Sequence, residues 1–268
     1  MVAETSHVRS APGRGPIGRA VGYRYAGMPA GAHRGVPSRW LTLIVTLEEP
    51  LDVTDGSGRR GRFDAMVAGL DDTASLIRHE GRMSGVQLDL DPLAARAVFG
   101  MPASELVRRS VALEDVWGTA AVRLREQLHE EGDGVARLEL VLAEVERRLG
   151  EAAAPQPEVA HAWRRLAGAD GLVRIEELAR EVGCSRRHLS GRFRAELGLS
   201  PSRVRRVLRF DRAQRLLAST PRPQLAAIAA DAGYADQAHF TRDFTAFAGC
   251  PPVSLLQDPL RLAGPDAR

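Results

Sequence analysis

Two sets of polar side chains stand at matched places in the last hundred residues of this chain. Arg186, Arg187, Ser190 and Arg194 form one set; Gln237, His239, Thr241 and Arg242 form the other. In each segment a pair of apolar residues four apart, Leu189 with Phe193 and Phe240 with Phe244, marks the inward side of a helix. The polar residues are left on the outer side. A guanidinium can bond guanine bidentately, an amide suits adenine, and a threonine can meet a thymine methyl. Arginines that miss a base can grip phosphates. The chemistry on offer is hydrogen bonding to the edges and backbone of a duplex.

Such side chains are useful only if a scaffold presents them, and the flanking residues supply one twice. Ile175 to Arg194 reads as a short apolar helix, a glycine at Gly183, a hydroxyl cap at Ser185 and a second helix. Leu225 to Phe244 repeats this with Gly233 and Asp236. Glycine tolerates the turn conformation, and Ser or Asp at the cap accepts a free helix N–H. This is the layout of a helix-turn-helix, whose second helix enters a major groove. Between the copies, Ser200 caps and Pro201 starts a helix running to Ala218. About 18 residues at 1.5 Å each give a rod of roughly 27 Å, near the ~34 Å of one duplex turn. Two capped copies about 51 residues apart, joined by a rigid rod, predict readout of two successive grooves.

Charge follows the same division. The chain carries a net +3, every cation being arginine. Residues 185–215 hold ten Arg against two acidic residues, whereas residues 1–157 hold 19 against 22. Clustered positive charge is the footprint of a polyanion-binding surface.

The composition is that of a globular α+β chain with room for two cores. Residues 1–14, rich in Gly, Pro, Ser and Arg, are expected to be a disordered tail. Residues 15–150 are expected to form a sensor or dimerisation domain, built on a small antiparallel β-sheet or open barrel with helices. Its strands are expected at Leu41–Leu47, Leu51–Val53, Phe63–Gly69 and Gly85–Leu90. Helices follow at Leu93–Phe99, Asp115–His129 and Gly134–Leu149. The stripe Leu138, Val141, Leu142, Val145 and Leu149 reads as core or as a dimer seam. Residues 151–157 read as a linker, 158–258 as an all-α double helix-turn-helix domain, and 259–268 as a tail.

Tyr23, Tyr25, His33, Trp40 and Gln87 are candidates to line an effector pocket. No set of residues has metal-ligand spacing: His79-Glu80 is isolated, and Cys184 and Cys250 show no CxxC, so no metal and no cofactor is expected. Cys184 falls in the turn before the first outer helix, where oxidation would disturb duplex contact. No phosphate loop or nucleophile elbow occurs. No secretory signal or run of about 18 apolar residues is found, and free thiols suit a cytoplasmic chain.

Residues from about 158 to 256 resemble the DNA-binding domain of AraC/XylS-family transcription regulators. The likeness rests on Leu178-Ala179, Gly183, Ser185, Leu189, Phe193, Gly198, Ser200-Pro201, Arg209 to Ala213, Leu216-Leu217 and Ile228-Ala229. Its most specific stretch is Gly233-Tyr-Ala-Asp-Gln-Ala-His-Phe-Thr-Arg-Asp-Phe244, with Gly249 and Pro251. The resemblance implies base readers at Arg187, Ser190 and Gly191, and at Gln237, His239, Thr241 and Arg242. Gly191 stands where a larger side chain is usual, so Arg186 or Arg192 would compensate. Val253-Ser-Leu-Leu256 departs from the family's usual aromatic residue and Arg.

The implied partner is double-stranded DNA; a small-molecule effector, RNA polymerase and a second copy of the chain are further partners the resemblance admits. The alternatives are an enzyme or repair protein with an appended DNA-binding domain, and a non-specific architectural protein. Neutral Gln237, His239 and Thr241 speak against the latter.

Overall fold

The computed structural model describes residues 5–12, 15–150 and 155–256. Thr5–Pro12, expected within a disordered tail, instead form strand β1. The remainder of that tail, the expected tail at 259–268 and residues 151–154 of the expected linker lie outside the described residues.

Two open antiparallel sheets make up the β layer. The larger has the order β1-β2-β9-β4-β7-β10, with β2 at Ile17–Tyr25, β4 at Leu41–Thr46, β7 at Ala65–Ala68, β9 at Met83–Leu90 and β10 at Ser110–Ala112. The smaller runs β3-β8-β5-β6, with β3 at Gly31–Gly35, β5 at Leu51–Thr54, β6 at Arg60–Phe63 and β8 at Ser75–His79. Leu43 of β4 stands opposite Leu88 on one side and Val67 on the other. Leu41, Leu43 and Val45 turn to the helical layer, whereas Ile44 joins Val21, Tyr23, Tyr25 and Met66 against Leu51, Val53 and Ile77 of the smaller sheet. A strand covered on both faces reads as a continuous apolar run, without alternation, which is why β4 was visible in the sequence. The stretch Phe63–Gly69, expected as one strand, is divided at Asp64 between β6 and β7.

Asp91 starts the helical layer as expected, its carboxylate accepting the Leu93 N–H at 2.8 Å ahead of a 3-10 turn and helix α1 (Ala95–Phe99). The helix expected over Asp115–His129 is two helices, α2 (Leu113–Trp117) and α3 (Thr119–Glu130), broken at Gly118 with φ +58°. Helix α4 (Gly134–Leu149) buries Leu138, Val141 and Val145 in the core and packs Leu142 and Leu149 beside them.

Seven helices follow among the described residues: α5 (Pro157–Gly168), α6 (Ile175–Glu181), α7 (Arg186–Leu197), α8 (Pro201–Ser219), α9 (Leu225–Asp231), α10 (Gln237–Ala248) and α11 (Pro252–Leu256). The largest apolar core does not stop at the linker. It runs from Ile17 and Leu88 through α1–α4 to Trp163, Leu178, Phe193 and Leu208. A second core, formed by Val207, Phe210, Leu217, Ile228, Phe240, Phe244 and Phe247, belongs to the last helices.

Candidate nucleic-acid interface

The two turns predicted from the repeat are built alike, bond for bond. In the first, the N–H groups of Val182, Gly183 and Cys184 bond the carbonyls of Leu178, Arg180 and Ala179. In the second, those of Ala232, Gly233 and Tyr234 bond Ile228, Ala230 and Ala229. Gly183 and Gly233 take φ +65° and +76°, a region costly for any residue with a Cβ. A Cβ on Gly233 would also displace the tip of the exposed Leu172 side chain. Ser185 Oγ then accepts the His188 N–H at 3.2 Å, and Asp236 accepts the His239 N–H at 2.6 Å. These caps set the start of each outer helix, and with it which residues face outward.

Inward, Leu189 and Phe193 anchor α7, while Phe240, Phe244 and Phe247 anchor α10 against Phe210 of α8. Fully burying each ring contributes about 2–3 kcal/mol. Helix α8 has 19 residues, a rod of ~28 Å. At the far end of α6, Arg165 and His161 of α5 both bond Glu181 and hold its carboxylate down at about 2.

Arg186, Arg187, Gly191 and Arg194 are exposed on α7, and Ser190 and Arg192 half-buried. Arg186 pairs with Glu176 at 2.9 Å and Arg192 with Glu158 at 3.0 Å. No ion pair to Arg187, Arg194 or Arg242 occurs among the described residues. On α10, Gln237 and Arg242 are exposed and Thr241 is half-covered. His239 instead turns back, edge-on to Tyr234 with centroids 5.3 Å apart and 3.9 Å from Asp243. Ala238, next to Gln237, is exposed and was missed because nothing polar marks it.

The arginine-rich segment is less free to meet a polyanion than its composition suggests. Along α8, Arg203 pairs with Asp72, Arg206 with Asp243, Arg212 with Asp170, and Arg215 with Asp170 and Asp211. Arg209 bonds the Gly233 carbonyl and lies over the Tyr234 ring. Much of the arginine cluster is therefore internal wiring. Burial pushes Asp170 up, but the guanidinium groups of Arg39 and Arg215 hold it below the usual carboxylate range.

The five pocket candidates do not converge. Tyr23 and Tyr25 are buried between the sheets, and burial raises both phenols. His33 faces His79 across β3 and β8, Gln87 donates to Asp89, and Trp40 fills the space over Gly18. Cys184 and Cys250 are unpaired thiols, half-buried and buried.

Sequence reading also missed acidic residues at inward positions, Glu196, Asp211 and Asp243, and the arginines that meet them. Arg39 bonds both Asp211, at 2.7 Å, and Asp170. Arg96 grips Glu196 with contacts of 2.8–3.1 Å. A buried carboxylate in a basic helix demands a partner, and that demand was the available signal.

Two capped helix-turn-helix units on one rod, their outer faces open, define a DNA-binding module. Residues 178–258 match the family described as a helix-turn-helix domain, and this region is an AraC-type DNA-binding domain. Comparison with curated proteins finds no match. Among solved structures, an apo form of a ToxT variant from Vibrio cholerae strain SCE256 is similar over 92% of this chain and 99% of its own, at 12% identity and TM-score 0.55. The P21 form of Vibrio cholerae ToxT aligns over 89% and 97%, at 11% identity and TM-score 0.51. The C-terminal domain of AraT, a response regulator from Geobacillus stearothermophilus, aligns over 39% of this chain and 88% of its own, at 26% identity and TM-score 0.36. The chain, β layer included, shares its fold with these ToxT structures. No helix among the described residues is long and apolar enough to cross a membrane.

Proposed function

We propose that this protein is a sequence-specific transcription regulator, acting in the cytoplasm, that reads two successive major grooves with α7 and α10. The observation that carries the reading is the duplicated turn, identical in hydrogen bonding and capping, with both outer helix faces exposed. Arg187, Ser190, Gly191 and Arg194 read or grip the first block. Gln237, Thr241 and Arg242 read the second, with Ala238 offering a methyl group to thymine. His239 supports Tyr234, and Arg186 and Arg192 must first leave Glu176 and Glu158. The architectural alternative leaves the neutral Gln237 and Thr241 on an exposed face unexplained.

The β region is the seat of control, by an effector or by pairing of chains, with RNA polymerase the downstream partner. One solved ToxT holds an unsaturated fatty acid and another a naphthalenyl butenoic acid. An apolar acid is accordingly the first effector class to try here, at the apolar layer between the sheets that contains Tyr23, Tyr25 and Met66.

The test is selection of bound sequences from a random duplex pool at physiological salt. The expected result is two recurring blocks about one helical turn apart, bound with an affinity that falls linearly on a log–log salt plot. Binding without a consensus, in the presence and absence of fatty acid, would overturn the reading.

A further inference from the structure

The β region holds the back ends of both outer helices and leaves their reading ends open. On α7, Ser104 Oγ donates to the Ala195 carbonyl at 2.8 Å, Arg96 grips Glu196, and Gly198 is pressed against Ser104 and Val107. Near the end of α10, Val36 packs into the second core, and Arg34 Nε would lie 3.6 Å from a Cβ placed on Gly249. Pro37 accepts a hydrogen bond from Gln214 of α8 at 3.1 Å.

A further contact between the β region and α8 is at Asp72, in the loop between β7 and β8. Its side chain is 2% exposed. Arg108 of the β region donates to it at 2.6 and 2.9 Å, and Arg203 of α8 at 2.5 Å. Burial pushes this carboxylate up, but the two guanidinium groups outweigh it and hold it low. Arg203 in turn lies 5.1 Å over the ring of Phe247, the inward anchor at the end of α10. Arg206 shares that ring at 5.2 Å and pairs with Asp243 of α10 at 2.6 Å. Asp72, Arg203, Phe247, Arg206 and Asp243 thus form one continuous set of contacts from the β layer to the second reading helix.

We propose that Asp72 is a positioning residue for DNA readout: by fixing Arg203 against Phe247 it sets the angle of α10 relative to α7, and so the spacing between blocks that the protein accepts. It touches no DNA and acts through Arg203. Without the anion, Arg203 and Arg108 repel each other, and Arg203 is kept over the ring only by its weak attraction to the ring and its long bond to the residue 72 carbonyl. The first unit, held by its apolar core and by the separate Arg96–Glu196 and Ser104–Ala195 contacts, keeps its place.

This inference rests on the two-groove reading. The test uses the full chain and three duplexes carrying the selected blocks at the selected spacing, with one base pair added and with one removed. Wild type should bind the altered duplexes at least about tenfold more weakly. Asp72→Asn, folded by circular dichroism, should narrow that ratio to about twofold while binding a duplex with the first block alone as wild type does. A merely structural role would weaken binding to all three duplexes alike. If Asp72→Asn does not fold, Arg108→Gln decides; it leaves Arg203 in place, removes only the half-exposed partner, and should narrow the ratio less. Wild type with a spacing preference that both folded variants keep would overturn the inference and spare the proposed function. A wild type indifferent to spacing would contradict the two-groove reading and this inference with it.

Discussion

The two helix-turn-helix units follow one sequence pattern but differ in what supports them. The first shares a continuous apolar core with the large sheet and α1–α4, so Phe193 is buried in the same cluster as Leu43 and Leu88. The second closes its own core on Phe210, Phe240, Phe244 and Phe247. It meets the β layer through Val36, through Arg34, and through arginines that share carboxylates. Local pattern therefore specifies a helix-turn-helix unit, whereas its mechanical independence depends on which neighbours share its core. Packing couples the first unit to the β region over a broad area. The Arg96–Glu196 pair adds charge to that packing, whereas the second unit has only Val36 and a few charged contacts, and a coupling of few points is more easily switched.

The largest expected effect separates the cores. Phe193→Ala and Phe244→Ala each remove a fully buried ring, at a cost of about 3–5 kcal/mol. Phe193→Ala should lower the main thermal transition of the whole chain. Phe244→Ala should instead split off an early transition in calorimetry, leaving the β region and first unit folded. One shared transition in both variants would show that the units are not separable. Next comes Gly198→Ala. Its φ of +78° costs about 1–2 kcal/mol for a residue with a Cβ, and Val107 stands in the way. The variant should lose protection from hydrogen exchange around Ser104 and Ala195, with α10 unaffected.

A step down are the residues proposed to read bases. Arg187→Ala should cost about 1–3 kcal/mol on the first block alone, and Arg242→Ala a similar amount on the second, with random duplex bound as before. Equal losses on specific and random duplexes would assign both arginines to phosphates. A further prediction concerns pH dependence. Burial raises Asp71 to about 7 from the ordinary 3.8, helped by Asp72 and Asp55 and opposed by its hydrogen bond from the Arg108 N–H. Its folded value lies above its unfolded one, so its contribution to stability is complete below about pH 4 and is lost as pH rises through about 7. Asp71→Asn keeps the acceptor and removes the titration. Its melting temperature should gain on wild type as pH goes from 4 to 8, and a constant gap would refute the assignment.

How much could be read in advance follows the range of the interactions. Caps, glycine turns and residues four apart are local, so the boundaries of α7, α8 and α10 could be read directly from Ser185, Ser200-Pro201 and Asp236. Strand β4 was visible because both its faces are buried. Strands β3 and β8 fall inside the stretch Tyr23–Met83 that reads as strand-like, but they and β2 had no bounds, since Gly18, Gly22 and the sequence Gly31-Ala-His-Arg-Gly35 dilute the apolar alternation and Ser75–His79 is half-buried. The break at Gly118 inside an otherwise helical stretch was missed because one glycine is compatible with a continuous helix. The arginine cluster was legible as composition, but its partners were not. Asp72 and Asp170 come from loops far along the chain, and only the fold shows that Arg203, Arg212 and Arg215 are paired inside.

On the proposed function both units read DNA, one fixed to the β region and one hung from it by α8. Hydroxyl-radical footprinting of the full chain and of Phe244→Ala on the selected duplex decides this. The predicted result is two protected patches on one face of the duplex, about one turn apart, for wild type, and only the first patch for the variant. A single patch for wild type, or loss of both patches in a variant whose main thermal transition survives, would contradict it.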